Sequence, residues 1–217
     1  MTEYVIKRSD RKTLAIYITK HGTVEVRCGK RVPESVIREF VKAKEDWINK
    51  HLSRIFSQEL STPAVGGKAF YLGAEYPVLE DERKSHFDGA AFYVQKGENV
   101  LTELECFYRE QAKETIEQLV RARETEMGLF ANRVAITSAK TRWGSCSGKK
   151  NLNFPWRIMM LPRHLTEYIV VHELAHLKEM NHSKRFWSVV EQYEPDYRDK
   201  KTELKRYEKI LKQSGWM

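Results

Sequence analysis

The stretch that decides the architecture is Ile169-Val170-Val171-His172-Glu173-Leu174-Ala175-His176-Leu177. It lies on a helix that opens after Pro162 and runs from Arg163 to about Lys178, apolar on nearly every side, as a core helix is. Two histidines and a glutamate interrupt that apolar surface. Buried without partners they would cost about 1 to 3 kcal/mol each, and a bound metal ion removes that cost. Residues four apart share one helical face about 6 Å along the axis, so the imidazoles of His172 and His176 can reach one ion at about 2.0–2.1 Å. Glu173, one step round from His172, stays off the metal, where its carboxylate can hydrogen-bond a metal-bound water and act as general base.

Two histidines leave the ligand set short, since catalytic zinc takes three protein ligands and keeps a position open. His182 is the candidate third ligand. It follows His176 by too many residues to share its face, so the helix must end between Lys178 and Asn181 and the chain must turn back, with Asn181 tolerating a left-handed conformation there. The alternatives are the carboxylates of Glu191 and Glu194 further on; nitrogen donors suit zinc better. At this content of His and Glu, about 0.025 chance H-E-x-x-H matches are expected in such a chain, which favours a site over histidines merely satisfied in a core. His21, His51, His86 and His164 have no spacing partner. Phe186 and Trp187, on the helix after His182, read as packing that holds the turn.

Composition sets the frame around this helix. The 217 residues are 41% hydrophobic and 31% charged, enough for one large domain or two modest ones, with no apolar run long enough for a membrane helix. The N-terminus enters a strand-like pattern without the regions of a secretory signal, and Cys28, Cys106 and Cys146 lie far apart. The expectation is a cytoplasmic protein with three free thiols. The net charge of +8 includes seven Lys or Arg against three Asp or Glu between Arg198 and Lys212. A solvated basic face explains that segment more readily than a nucleic-acid patch.

Outward from the decisive helix, the periodicities predict an N-terminal hairpin, Leu14 to Ile18 and Val24 to Cys28 about a His21-Gly22 turn. One helix then runs from Pro33-Glu34 through residue 56, its apolar stripe formed by Val36, Ile37, Phe40, Val41, Trp47, Ile48, Leu52 and Ile55. Ser57 to Lys68 reads as a loop, and the domain boundary is placed there: 1–67 for the hairpin and helix, 68–217 for the rest, or one continuous domain. Ala69 to Leu72, Tyr76 to Leu79 and Ala91 to Val94 predict a small antiparallel sheet, the last two strands joined through Asp88-Gly89. A long helix follows, opened by a Thr102/Glu105 capping box and stopped at Gly128. Val134 to Thr137, Leu152 to Phe154 and Trp156 to Leu161 predict three further strands.

Thr141 to Ser147 has no chemistry that spacing alone reveals. Arg142 could bind an anion or carbonyl, though an exposed surface arginine is the commoner outcome; Cys146 lacks a free histidine to serve as its base. Together, Arg142-Trp143-Gly144-Ser145-Cys146, the Pro162 to Val171 approach, His172-Glu173-Leu174-Ala175-His176, and Asn181-His182-Ser183 with Phe186-Trp187 resemble the YgjP-type family of metal-dependent hydrolases, zincin-like proteins related to the SprT and WLM families. The resemblance is specific over residues 133 to 200 and looser in the N-terminal half. It implies an α+β fold, a zincin-like metallopeptidase core with an active-site helix packed on a small mixed sheet beside an N-terminal β-hairpin and helix region. It implies zinc on His172, His176 and His182, with Glu173 as catalytic base. It also puts the Trp143 to Ser147 segment near the cleft, which makes Trp143, with Arg142, a substrate-binding candidate. The spacing from His176 to His182 equals that of the metzincin peptidases, but Glu179 stands where those have glycine and no methionine turn is identifiable.

The expected activity is zinc-dependent hydrolysis, foremost of a peptide or protein. One rival keeps the metal and changes the bond to a nucleotide phosphoanhydride, which the basic surface would favour. A second is a nucleic-acid-associated protein with a structural zinc closed by four protein ligands.

Overall fold

The computed structural model describes residues 3–19, 22–60 and 63–217, which fall into two units, Met1–Thr62 and Pro63–Met217, each closed around its own apolar core. His21 of the predicted turn, Ser61 and Thr62 of the predicted loop, and the side chain of Ile55 lie outside the described residues.

In the first unit the alternating segments form β1 (Val5–Ser9), β2 (Ala15–Ile18) and β3 (Val24–Gly29). β2 and β3 make the predicted hairpin, in register from Ala15↔Arg27 to Ile18↔Val24. β1 pairs with the other edge of β3 in parallel, from Val5↔Glu25 to Ser9↔Gly29, a non-local pairing that alternation within a segment cannot reveal. Val24, Val26 and Cys28 of the middle strand enter the core, and Glu25 between them is covered by ion pairs to Lys7 and Arg27. Those hydrogen-bonded cations hold its carboxyl below the usual carboxylate range.

The single predicted helix is in fact two, α1 (Glu34–Ala43) and α2 (Glu45–Leu60). The break falls at Lys44, with φ −110° and ψ 9°. Glu45 and Asp46 then start α2 with acidic side chains at the positive end of its dipole. The break re-aims the stripe: Ile37, Val41 and Ile48 are core, while Val36 and Trp47 stay exposed. α2 also continues past Ser57, where the sequence predicts a loop.

The second unit opens with β4 (Lys68–Tyr71), β5 (Ala74–Asp81), β6 (His86–Phe87) and β7 (Phe92–Gln95), in spatial order β4-β5-β7-β6. This sheet is mixed, not antiparallel as predicted. β5 and β7 run parallel, from Val78↔Phe92 to Asp81↔Gln95, because the Asp88-Gly89 turn joins β7 to the short strand β6 and not to β5. β4 and β5 turn at Leu72-Gly73, both left-handed at φ 48° and 87°, as a tight two-residue hairpin requires. A Cβ on Gly73 would lie 2.6 Å from Cγ of Pro162, and the Leu72 and Gly73 N–H groups donate to the Met159 and Met160 carbonyls. The turn thereby braces the segment that enters the site helix.

α3 (Val100–Met127) is capped by Asn99, whose side chain accepts the Thr102 N–H. The helix thus begins before the predicted Thr102 box, because Val100 and Leu101 are already helical; Gly128, left-handed at φ 65°, ends it as predicted. Leu104, Tyr108, Ala112, Ile116 and Leu119 form its buried stripe. Tyr108 stacks on Trp156 and donates its hydroxyl to the Phe70 carbonyl, joining helix to sheet.

A second mixed sheet consists of β8 (Arg133–Thr137), β9 (Ser145–Cys146) and β10 (Asn151–Pro155), with β8 parallel and β9 antiparallel to the central β10. The predicted strand from Trp156 to Leu161 is instead a 3₁₀ helix over Trp156–Met160, all five residues buried; a short continuous apolar run does not separate a strand from a buried helical turn. It leads through Pro162 to α4 (Arg163–Ala175), then α5 (Lys184–Tyr193) and α6 (Tyr197–Gln213). α4 packs against α3, α5, α6, β9 and the 3₁₀ helix, so the fold is α+β with the decisive helix laid beside a small mixed sheet. Cys28, Cys106 and Cys146 are free thiols, and no helix among the described residues is long and apolar enough to cross a membrane.

Phe154 of β10 is fully buried where that sheet meets the core. Phe154→Ala is expected to destabilise the second unit by about 3–5 kcal/mol, read as a lower urea midpoint at unchanged slope.

Candidate metal centre

α4 is buried over most of its surface: Leu165, Tyr168, Ile169, Val170, Val171, Leu174 and Ala175 pack inward, and Glu173 goes with them at 6% exposure. The α-helical ladder ends at Ala175, earlier than the predicted Lys178, with His176 as its C-cap. Tighter bonds follow, Leu177 N–H to the Leu174 carbonyl and Lys178 N–H to the Ala175 carbonyl. Asn181 is not left-handed, since Leu72 and Lys150 are the only non-glycine residues with positive φ among those described. The chain turns back through this tightening and through extended Ser183, whose Oγ accepts the Phe186 N–H and caps α5.

The turn brings His182 to His172 and His176. The ring centroids lie 5.1 Å apart for His172 and His176, 5.0 Å for His172 and His182, and 4.7 Å for His176 and His182. One nitrogen from each ring falls within 4.8 Å of the others. Nε2 of His182 faces Nε2 of His172 at 3.0 Å. Nδ1 of His176 lies 3.1 Å from the Glu179 carbonyl, so its N–H donates there and Nε2 keeps the lone pair. Phe186, fully buried on α5, touches all three rings at centroid distances of 4.4–4.9 Å.

These nitrogens suit a cation. Burial, then the neighbouring His176, His182 and Lys201, push the pKa of His172 down to about 3, and burial also lowers that of His176. Neutral imidazole is the form that binds a metal. Nδ1 of His172 is buried and has no hydrogen-bond partner, and the Nε2 atoms of His172 and His182 lie close enough to share one proton as a hydrogen bond or, with both in the lone-pair form, to turn toward one ion. Among the described residues, the carboxylates of Glu191 and Glu194 do not join this cluster. Glu194 is buried and tied to Arg123 and Lys200, and Glu191 lies on the exposed face near Arg198.

Glu173 points into the same cleft as His172 and His182, a cavity of about 550 Å³ also walled by Trp143, Tyr168, Ile169, Trp187 and Leu204. Burial raises its pKa to about 7, against the charge of Arg142. The Trp143-Gly144 backbone lies on its side chain: a Cβ on Gly144 would fall 2.5 Å from both Cγ and Oε1 of Glu173. Trp143 is buried, lines the cleft and donates Nε1–H to Glu208 of α6 at 3.0 Å. Arg142 is exposed and does not line the cleft. Burial and the Glu173 charge raise the pKa of Cys146, which keeps its thiol protonated.

Sequence reasoning missed two parts of this site. Gly144 lies in the segment that the resemblance puts near the cleft, but its own role gave no signal, because it is a close approach between distant segments. Lys201, Leu204, Lys205 and Glu208 also line the cleft; their i, i+3, i+4, i+7 spacing was a legible signal, submerged in what reads as a solvated basic face. Trp187 both packs on Tyr197 and lines the cleft.

A family model described as YgjP-like, metallopeptidase domain, matches residues 12–207. No curated protein matches the chain. Among solved structures, the metallopeptidase zymogen abylysin of Pyrococcus abyssi is 29% identical over 44% of this chain and 95% of its own, at a TM-score of 0.39. The metallopeptidase zymogen jannalysin of Methanocaldococcus jannaschii is 25% identical over 44% of this chain and 96% of its own, at a TM-score of 0.38. With the family match reaching from the first unit through the histidine cluster and into α6, the chain belongs to the YgjP-like family and carries its metallopeptidase domain.

Proposed function

We propose that the chain is a zinc-dependent peptidase in which His172, His176 and His182 hold the ion and Glu173 is the general base. The observation that carries this reading is the convergence of three imidazoles beside a buried carboxylate that lines one cleft with His172 and His182. Three nitrogen donors with an open side suit catalytic zinc, whereas a structural zinc is closed by four protein ligands. When bound, the ion would supply Lewis-acid polarisation of a carbonyl and lower the pKa of water to about 7.

The chain's own residues do the rest. Glu173 Oε1, held by the Gly144 backbone, takes the proton of the attacking water and returns it to the leaving nitrogen. Burial excludes solvent from that transfer and gives the carboxyl a proton affinity matched to neutral pH. The Nδ1–H of His176, anchored on the Glu179 carbonyl, fixes the tautomer that presents Nε2. Trp143, Tyr168, Ile169 and Trp187 offer apolar surface to substrate side chains. The free thiols support a reducing compartment, the cytoplasm. A nucleoside triphosphate is the rival substrate, since Lys201 and Lys205 bring cations to the cleft wall. Incubating the zinc-loaded chain with casein, a peptide library and a nucleoside triphosphate panel separates the two; phosphate release without peptide cleavage would sink the peptidase reading.

Glu173→Gln is expected to keep its zinc and lose about 10²- to 10⁴-fold in turnover; a wild-type rate in that variant would remove Glu173 from the chemistry. His182→Ala is expected to lose zinc by elemental analysis, and unchanged zinc would move the third ligand elsewhere. Gly144→Ala must push the Glu173 side chain aside, so activity is expected to fall about 10²-fold at unchanged zinc content.

A further inference from the structure

The wall of the cleft opposite α4 is one face of α6. Lys201, Leu204, Lys205 and Glu208 follow one another at helical spacing and line the same cavity as His172 and Glu173. Lys200, on another face of α6, is consumed by ion pairs with Glu194 and Asp196. Among the described residues, Lys201 and Lys205 are in no ion pair, and Glu208 is engaged by the Trp143 indole N–H. Nζ of Lys201 sits 4.5 Å over the Trp187 ring, and that ring lies 5.8 Å from the His172 ring and 5.7 Å from that of His182. The aromatic face steadies the ammonium beside the histidine cluster.

Two lysines in no ion pair among the described residues, one helical turn apart at about 6 Å of axial rise, therefore border a cleft lined otherwise by apolar and aromatic side chains together with His172, His182 and the carboxyl groups of Glu173 and Glu208. Unpaired charge at the rim of a partly desolvated site selects its complement and rejects its like. We propose that Lys201 and Lys205 form a carboxylate-recognition subsite, so that the enzyme selects peptides bearing a carboxylate beside an apolar residue that occupies the Trp143–Leu204 surface. This rests on the reading of the cleft as a peptidase site. A Glu or Asp side chain and a free C-terminus present the same group, and both chemistries satisfy the lysine pair.

The test uses the full-length, zinc-loaded Glu173→Gln chain, immobilised and exposed to a randomised heptapeptide library made both as free acids and as C-terminal amides, with retained peptides read by mass spectrometry. Enrichment of Glu and Asp over Gln and Asn by about tenfold among the amides identifies the side chain; retention of free acids over amides to a similar extent identifies the terminus. Either preference is expected to vanish in the Lys201→Met/Lys205→Met double variant and to persist in Lys209→Met, on the same helix outside the cleft lining. No acidic preference, no retention at all, or a preference that survives the double variant overturns the subsite. Displacement of the retained peptides by a nucleoside triphosphate that the wild-type enzyme also hydrolyses reassigns the lysines to phosphate and likewise overturns it. Selective retention of acidic peptides that zinc-loaded wild-type enzyme leaves uncut preserves the subsite and overturns the peptidase reading. Cleavage of acidic and neutral peptides alike does the reverse.

Discussion

An imidazole on a helix that is buried on almost every side has no water to satisfy it, so its nitrogens must find partners inside the protein. α4 and its C-cap carry two imidazoles, the half-buried His172 with an unpartnered Nδ1 and the buried His176, and a buried carboxylate between them. Much of the second unit is arranged around that problem. The 3₁₀ helix and the Leu72-Gly73 turn fix where α4 begins, the tightened backbone after Ala175 fixes where it ends, and α5 delivers Phe186 against all three rings. The result is three imidazoles with nitrogens close to one another, two of which, on His172 and His176, burial keeps from taking up a proton.

The carboxylate is solved differently. Glu173 is buried against backbone, and the contact is possible only because residue 144 has no side chain. That close approach couples β9 and the loop before it to the Glu173 carboxyl, and the Trp143 bond to Glu208 extends the coupling to α6. Three segments far apart in sequence thus set the position of one carboxyl. Its proton affinity is raised by burial, with the Arg142 charge as the opposing influence.

Legibility followed the range of the interactions. The Gly128 stop and the β2–β3 hairpin were readable because backbone preference and alternation decide them within a few residues. The division at Lys44 was not, since one apolar stripe is compatible with a continuous helix and with two helices in slightly different directions. The parallel pairs β1–β3 and β5–β7 are non-local. The Trp156–Met160 segment is buried all round, so it carries no periodicity to read. The Asn99 cap was visible in principle, as an asparagine three residues before Thr102, but a stronger-looking Thr/Glu pair stood beside it.

By itself the sequence determined that His172, Glu173 and His176 share a core helix, because four-residue spacing and apolar surroundings are local properties of the chain. It also supplied His182 as a candidate without saying how the chain would return. Only the tertiary structure decided that His182 comes back without a left-handed Asn181, that Glu194 is spent on Arg123 and Lys200, that Gly144 leaves room for the carboxyl, and that Lys201 and Lys205 face the cleft. Each of these depends on which distant segments share space, and residue spacing along one segment carries no information about that.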